Sequence, residues 1–158
     1  MQGPGGAQLR DAIERGVRYL SGAQRETGGF LAENCWPDVS HCSQERCMFY
    51  TTFVLYALST VEHRAVAPII RLGVPYITRQ MEAGGWWRFW DHDDPLHGFV
   101  GPDTDGTAAA SAVLTMSSAP LPDNVEMLFQ YRDARGAFYT WQDPSLFHPQ
   151  ALQLIEKL

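Results

Sequence analysis

Hydrophobic residues recur along the chain at helical spacing, in segments separated by glycine- and proline-rich breaks. Residues 7–24 and 64–82 each carry apolar side chains on one stripe, which predicts two amphipathic helices. Between them, residues 43–60 are apolar on every side in the middle of the segment, which predicts a buried helix. Pro68 suits the first turn of the third helix, whereas Pro75 lies inside the pattern and predicts a kink or a break.

Further helices are predicted after a loop rich in Asp, His and Pro. One runs over residues 103–118 and is small or apolar on every side, another runs from position 123 or 124 to about 131, and a short one begins at Pro149. No segment shows the two-residue alternation of a half-buried strand, so the sequence predicts an all-α fold of five or six helices. Amphipathic helices alternate with apolar ones, as expected of an outer layer around an inner layer.

Composition and charge limit the classes of protein to which the chain can belong. The chain has 158 residues and a formal net charge of −6, which fits one acidic domain and argues against nucleic acid as a partner. No apolar run approaches the roughly 20 residues of a membrane span, and the first residues lack the regions of a signal peptide. Cys35, Cys42 and Cys47 cannot all pair with one another, so we expect reduced thiols in a cytoplasmic protein.

Three glycine-containing breaks end in an aromatic residue, at Phe30, Trp86 and Phe138, and they recur at similar spacing. A period of this size is typical of stacked helix pairs that cannot bury their apolar faces alone. Glycine lets the chain turn tightly after a helix, and a Gln amide nearby can satisfy backbone groups at a neighbouring helix end. We therefore expect Phe30 and Trp86 to have a structural role, in which their rings pack against the turn and stabilise the repeat.

The residues around these breaks resemble the QW repeat of squalene–hopene cyclases and related terpenoid cyclases. That repeat is a basic residue, Gly, two spacers, an aromatic, an aliphatic, three spacers, Gln and then Gly-x-Trp. The first copy comprises Arg15–Leu20, Gln24 and Gly28–Phe30, with Phe30 in place of Trp. The second comprises Gly73–Ile77, Gln80 and Gly84–Trp86, with Leu72 at the basic position and one spacer fewer; a partial third comprises Leu128–Gln130 and Gly136–Phe138.

A second motif, Pro102–Ala109, resembles the Asp-x-Asp-Asp-Thr-Ala signature of class II terpene cyclases. Those enzymes are α/α toroids that protonate an alkene or epoxide without a metal redox cofactor. The resemblance implies that Asp105 is the proton donor and Asp103 its polarising partner, and that no cofactor is needed. Crowded, buried carboxyls retain a proton, and a helix N-terminus favours the anion left after transfer. Gly106 stands where the family has its third Asp.

The resemblance also implies a cavity wall of aromatic rings, whose faces stabilise carbocations. The candidates for contact with substrate are Trp87, Phe89, Trp90, Tyr139 and Trp141.

Other clusters of polar residues offer alternatives. Asp91–Asp94 also spells Asp-x-Asp-Asp, but it lies in a predicted loop before Pro95 and is interpreted as a solvated acidic loop. His92 and His97, together with Asp93, could bind a divalent ion, as a third hypothesis.

A zinc site is a further alternative. Cys35, His41, Cys42 and Cys47 lie close together in sequence, but their spacing fits none of the strong zinc patterns. The sequence therefore predicts no metal site.

Together these features predict one α/α-toroid domain over residues 1–158 that acts as a class II-like terpenoid cyclase, or a segment of one, on a linear isoprenoid. The alternative is a non-catalytic module of the same fold that binds a hydrophobic ligand or a protein. A closed toroid in the family has about twice as many helix pairs, so we expect a partial barrel. A second copy or a missing second half would close it, and contact with a membrane surface would suit so hydrophobic a substrate.

Overall fold

Helices are the main regular structure in the described part of the chain, which in this computed structural model comprises residues 4–35 and 42–141. The elements are α1 (Pro4–Ala23), β1 (Leu31–Cys35), β2 (Cys42–Arg46), α2 (Met48–Leu58), α3 (Val66–Arg79), α4 (Thr104–Met116) and α5 (Val125–Gln130). The helix predicted from Pro149 lies outside the described residues. None of the described helices is long and apolar enough to cross a bilayer.

The two apolar helices, α2 and α4, pack directly against each other. Helix α3 packs on both, and α1 packs on α3. The close approach of α2 and α3 depends on Gly73, where an added Cβ would lie 2.4 Å from a methyl carbon of Leu55. Helix α3 continues through Pro75 to Arg79, so the break predicted at that proline does not occur.

One hydrophobic core joins these helices and the turns between them. Its buried members come from α1 to α4 and from the segments that follow α1 and α3: Val17, Phe30, Met48, Leu55, Leu58, Val66, Ile69, Tyr76, Ile77, Trp87, Ala110, Val113 and Leu114.

A two-stranded hairpin corrects the prediction of an all-α fold. Strands β1 and β2 pair antiparallel, with Leu31 opposite Arg46 and Cys35 opposite Cys42. The helix predicted from Ser43 begins only at Met48, because residues 42–46 belong to β2. Both strands are short and lie at the surface, and neither Leu31–Cys35 nor Cys42–Arg46 alternates apolar and polar residues in a way that a sequence pattern could detect.

A disulfide joins Cys35, the last residue of β1, to Cys42, the first residue of β2. The prediction of reduced thiols is therefore wrong for this pair. Only Cys47 among the three cysteines is free, and it is buried. Because both sulfurs of the pair are bonded to each other, they offer no thiolate to zinc; His41 lies outside the described residues. Disulfides persist mainly in oxidising compartments, so this bond gives no support to a cytoplasmic location.

Candidate functional site

The N-terminus of α4 is organised by Asp103. This residue is the N-cap, with extended backbone, and its Oδ1 accepts a hydrogen bond of 2.5 Å from the backbone N–H of Gly106. Its own N–H donates to the carbonyl of Trp87 at 3.2 Å, and the next N–H, of Thr104, donates to the carbonyl of Thr140 at 2.7 Å. The start of the helix is thereby fixed to two segments distant in sequence.

Burial controls the protonation of this carboxyl. Asp103 is 2% exposed, and no described residue donates a hydrogen bond to its Oδ2. Burial raises the pKa of Asp103 to about 8, and the neighbouring carboxyl of Asp105 adds to the rise, against the opposing effect of the Gly106 N–H. Asp103 therefore keeps its proton at neutral pH.

Gly106 has a steric role at this cap. A Cβ added at position 106 would lie 2.5 Å from Oδ1 of Asp103. Glycine thus permits this close contact between the carboxyl and the helix N-terminus, and a side chain at position 106 would make the Asp103 carboxyl shift.

An apolar cavity of about 400 Å³ opens beside this helix start. Its walls come from the first turns of α4, from α5 and from the segment after it: Thr104, Asp105, Ala108, Val125, Leu128, Phe129, Phe138 and Thr140. Asp105 is the one acid or base among these lining residues, and it lies next to buried Asp103. Phe129 and Phe138 are about half exposed, at 51% and 49%, because the cavity opens to solvent on one side.

The aromatic residues predicted to contact substrate lie in three different environments. Trp87 is fully buried in the core, and its indole N–H donates to the carbonyl of Ile77 at 2.8 Å. Tyr139 and Trp141 are exposed and flank cavity residue Thr140. None of these three aromatic residues lines the cavity wall.

Phe89 and Trp90 form a separate aromatic group near the hairpin. The Phe89 ring stacks on Phe49 at 5.0 Å between centroids, and the Trp90 indole donates to Oε2 of Glu45 at 2.8 Å. Sequence analysis missed the rings that do line the cavity, Phe129 and Phe138. The signal that could have found them is the partial third repeat, to which both belong.

Two aspartates of the second Asp-x-Asp-Asp sequence, Asp91 and Asp94, are buried. The interpretation of this segment as a solvated acidic loop is therefore wrong for these two residues. Asp91 is buried and accepts a hydrogen bond from the Tyr76 hydroxyl; burial raises its pKa. Asp94 is buried too, and its carboxylate accepts from the backbone N–H groups of Arg46 and Leu96. These contacts fix the loop before α4, and their partners are too distant in sequence to be read from the motif.

The glutamines of the repeats bind backbone. The Gln24 amide donates to the carbonyls of Gly28, at 2.9 Å, and Ile69, at 3.0 Å, and so ties the turn after α1 to α3. Gln80 accepts from the N–H of His92 at 2.7 Å.

One group of residues has the donor atoms for a metal ion. Glu82 comes within reach of both His92 and His97, with all three donor atoms within 4.8 Å of one another. Asp93, the carboxylate considered from the sequence, is not part of this group, whereas Glu82 reaches it from the segment after α3.

No protein-family model matches the sequence, and no curated protein matches it. Several solved structures share its fold. A variant of the type II terpene cyclase MstE from Scytonema, in complex with its product merosterolic acid A, is 16% identical with a TM-score of 0.64; the match covers 96% of this chain and 40% of that chain. Another MstE variant, bound to its substrate geranylgeranyl dihydroxybenzoate, is 16% identical with a TM-score of 0.63 and coverages of 94% and 39%.

A protein from Actinoplanes is similar to the same degree, at 18% identity and a TM-score of 0.63, with 94% of this chain and 40% of that chain covered. At these identities the likeness shows a terpene cyclase-like fold. The chain spans about 40% of the length of these structures.

Proposed function

We propose that the chain is part of a class II-like terpenoid cyclase, in which Asp105 and Asp103 protonate a linear isoprenoid. The observation that carries the proposal is a carboxyl pair at the wall of an apolar cavity, of which one member is buried and holds its proton. The fold shared with MstE, a terpene cyclase whose variant binds a geranylgeranyl substrate, supports it.

The two carboxyls have different parts in the proposed step. Asp105 lines the cavity and is the catalytic residue that would touch the alkene. Asp103, the buried carboxyl beside it that holds a proton, is proposed to pass that proton to Asp105 before each protonation of substrate. The π electrons of the terminal alkene form a new C–H bond with the Asp105 proton, and the O–H electrons stay on the carboxylate. The other alkene carbon becomes a tertiary cation, which the next double bond attacks to close a ring. A C–H bond next to the last cation then breaks: its electrons form a C=C double bond, and its proton goes to water or back to the carboxylate pair, which restores the starting charge.

The surroundings favour this charge movement. The carboxylate left on Asp105 lies in the first turn of α4, where the helix dipole stabilises a negative charge. The rings of Phe129 and Phe138 lie 5.9 Å apart at the cavity, where their faces can stabilise the cation. The remaining walls are mostly apolar and suit a hydrocarbon chain.

The domain is proposed to be an incomplete toroid, closed by a second copy or by further chain. In α1, the exposed fractions of Leu9 and Ile13 are 63% and 39%, and a Cβ at Gly16 would meet nothing within 4 Å. The matching glycine of the second repeat, Gly73, is covered by Leu55 of α2. An inner helix lying on α1 as α2 lies on α3 would cover this face.

Turnover tests the proposal directly. Purified protein is incubated with squalene, farnesyl diphosphate or geranylgeranyl diphosphate, with and without Mg²⁺, and products are identified by gas chromatography–mass spectrometry. We expect a cyclised product that needs no Mg²⁺, and a loss of at least about 100-fold in Asp105→Asn, since general acid catalysis contributes about that much or more. Asp123→Asn changes an exposed acid outside the cavity and should leave turnover unchanged.

The second candidate function is a module that binds a hydrophobic ligand without reaction. The apolar cavity and the absence of the third motif aspartate at Gly106 favour it. Folded protein that binds an isoprenoid, for example by quenching of tryptophan fluorescence, but forms no product would contradict the cyclase and support this module.

A further inference from the structure

Glu82, His92 and His97 meet at a position that the proposed cyclisation does not use. Glu82 lies between the end of α3 and the turn at Gly84, whereas both histidines lie in the loop that leads to α4. That loop is held at two buried carboxylates, Asp91 on Tyr76 and Asp94 on the N–H of Arg46. The imidazoles are therefore carried by an anchored backbone.

The Nε2 atoms of His92 and His97 both approach the same carboxylate oxygen of Glu82. Nε2 of His92 lies 3.5 Å from Oε1 of Glu82, and Nε2 of His97 lies 3.2 Å from the same atom. Ligand atoms bound to zinc at 2.0–2.1 Å in a tetrahedron lie about 3.4 Å apart. The two distances thus match the edges of a tetrahedral metal site.

The hydrogen bond on the far side of His97 fixes its tautomer. Nδ1 lies 3.0 Å from the carbonyl oxygen of Trp90, which can only accept, so Nδ1 carries the hydrogen. In the neutral ring, Nε2 then has a lone pair that faces a carboxylate oxygen. A lone pair on Nε2 and a carboxylate oxygen at 3.2 Å need a proton or a metal ion between them. Metal-bound histidines typically use their second nitrogen in this way, to donate to a backbone carbonyl.

Arg88 orients the carboxylate of Glu82. Its Nε donates to Oε1 of Glu82 at 3.1 Å, and its Nη1 donates to the carbonyl of Val100 at 2.9 Å. The guanidinium thus orients Glu82 from one side, as a second hydrogen-bonding layer does around metal-binding carboxylates.

We propose that Glu82, His92 and His97 bind a divalent transition-metal ion, with Zn²⁺ favoured by two imidazole nitrogens and one carboxylate oxygen. Water completes the coordination, because the three side chains are partly exposed. The ion clamps the loop after Trp90 to the end of α3. The ion takes no part in the proposed protonation, so the metal site can be confirmed or contradicted independently of the cyclase proposal.

Calorimetric titration with ZnCl₂ tests the site, in buffer without reductant so that the Cys35–Cys42 disulfide stays closed. We expect one Zn²⁺ per chain, a higher melting temperature with Zn²⁺, and a visible absorption band when Co²⁺ is substituted. Removing a ligand by His92→Ala or His97→Ala should weaken binding by at least about 100-fold, the upper range seen for outer-shell partners alone. His63→Ala is the matched control, since His63 pairs with Glu14 on another surface and should keep full affinity.

The variants separate loss of a ligand from loss of the fold. The His92 side chain is exposed, so His92→Ala should keep the native circular dichroism spectrum. Glu82→Gln keeps an acceptor for Arg88 but removes the charge, and it should also weaken binding. No Zn²⁺ binding by the native chain, or undiminished binding by folded His92→Ala, would overturn the proposal.

Discussion

Asp103 combines two features, a helix cap and a buried carboxyl with a raised pKa. One oxygen accepts from the Gly106 N–H, as in an ordinary N-cap, while the other is buried without a donor among the described residues. The second condition raises the pKa of the carboxyl. A capping residue can therefore also retain a proton to a much higher pH than an ordinary aspartate.

This shift makes stability depend on pH in a defined direction. Because the pKa of Asp103 is about 8 in the folded chain, against an ordinary value of 3.8 for an aspartate, the folded state binds the extra proton between those limits. The free energy of unfolding should therefore fall by a few kcal/mol as pH rises from about 4 to about 8. Asp103→Asn stays neutral and keeps an acceptor for Gly106, so the part of the fall due to Asp103 should disappear, while the part due to Asp91, whose pKa burial also raises, should remain.

Urea unfolding followed by circular dichroism over this pH range measures the effect. Asp93→Asn is the control, because Asp93 is exposed and should leave the pH dependence unchanged. An equal slope in native chain and Asp103→Asn would show that Asp103 is ionised in the folded state.

At the scale of elements, two glycines of the first repeat should respond in opposite ways to alanine. Gly28 has φ of +99°, and an added Cβ would lie 2.2 Å from the backbone oxygen of Leu72. Gly28→Ala should lower the free energy of unfolding by more than about 2 kcal/mol, through strain and collision with a fixed backbone. Thermal or urea unfolding measures this loss.

Gly16→Ala is the matched control for Gly28→Ala. Gly16 lies within α1 with open space around it, so alanine there should raise stability by about 0.5–1 kcal/mol through helix propensity. A similar, small effect of both substitutions would contradict the tight packing of the turn after α1 on α3.

Helices were predictable where a pattern is local. The apolar stripes place α1 and α3 to within a few residues, and Asp103 marks the start of α4 as a capping residue does. The hairpin was not predictable, because its short surface strands follow no alternation and a disulfide closes their ends.

Parts of the candidate site depend on contacts between distant residues. Asp105 and Asp103 could be named from the motif, but the burial that protonates Asp103 arises from packing of α4 against other segments. Glu82 joins the histidines only because the chain turns after α3. Neither the burial of Asp103 nor the approach of Glu82 to the two histidines follows from a periodic pattern or a fixed spacing in the sequence.

At the scale of the whole molecule, the cavity and one face of α1 both present apolar side chains to solvent. The cavity opens to solvent on one side, and its aromatic walls are half exposed. Exposed apolar surface of this kind usually marks an interface. A covered cavity would exclude water from the carbocation, which the proposed chemistry requires.

The central claim is that a carboxyl of this chain places a proton on an alkene carbon. The most direct test is to run the reaction in D₂O with an isoprenoid substrate and analyse the product by mass spectrometry. We predict a cyclised product with one solvent-derived deuterium on carbon from the native chain, and none from Asp105→Asn. A cyclised product without deuterium, or no product from folded protein, would contradict protonation as the first step.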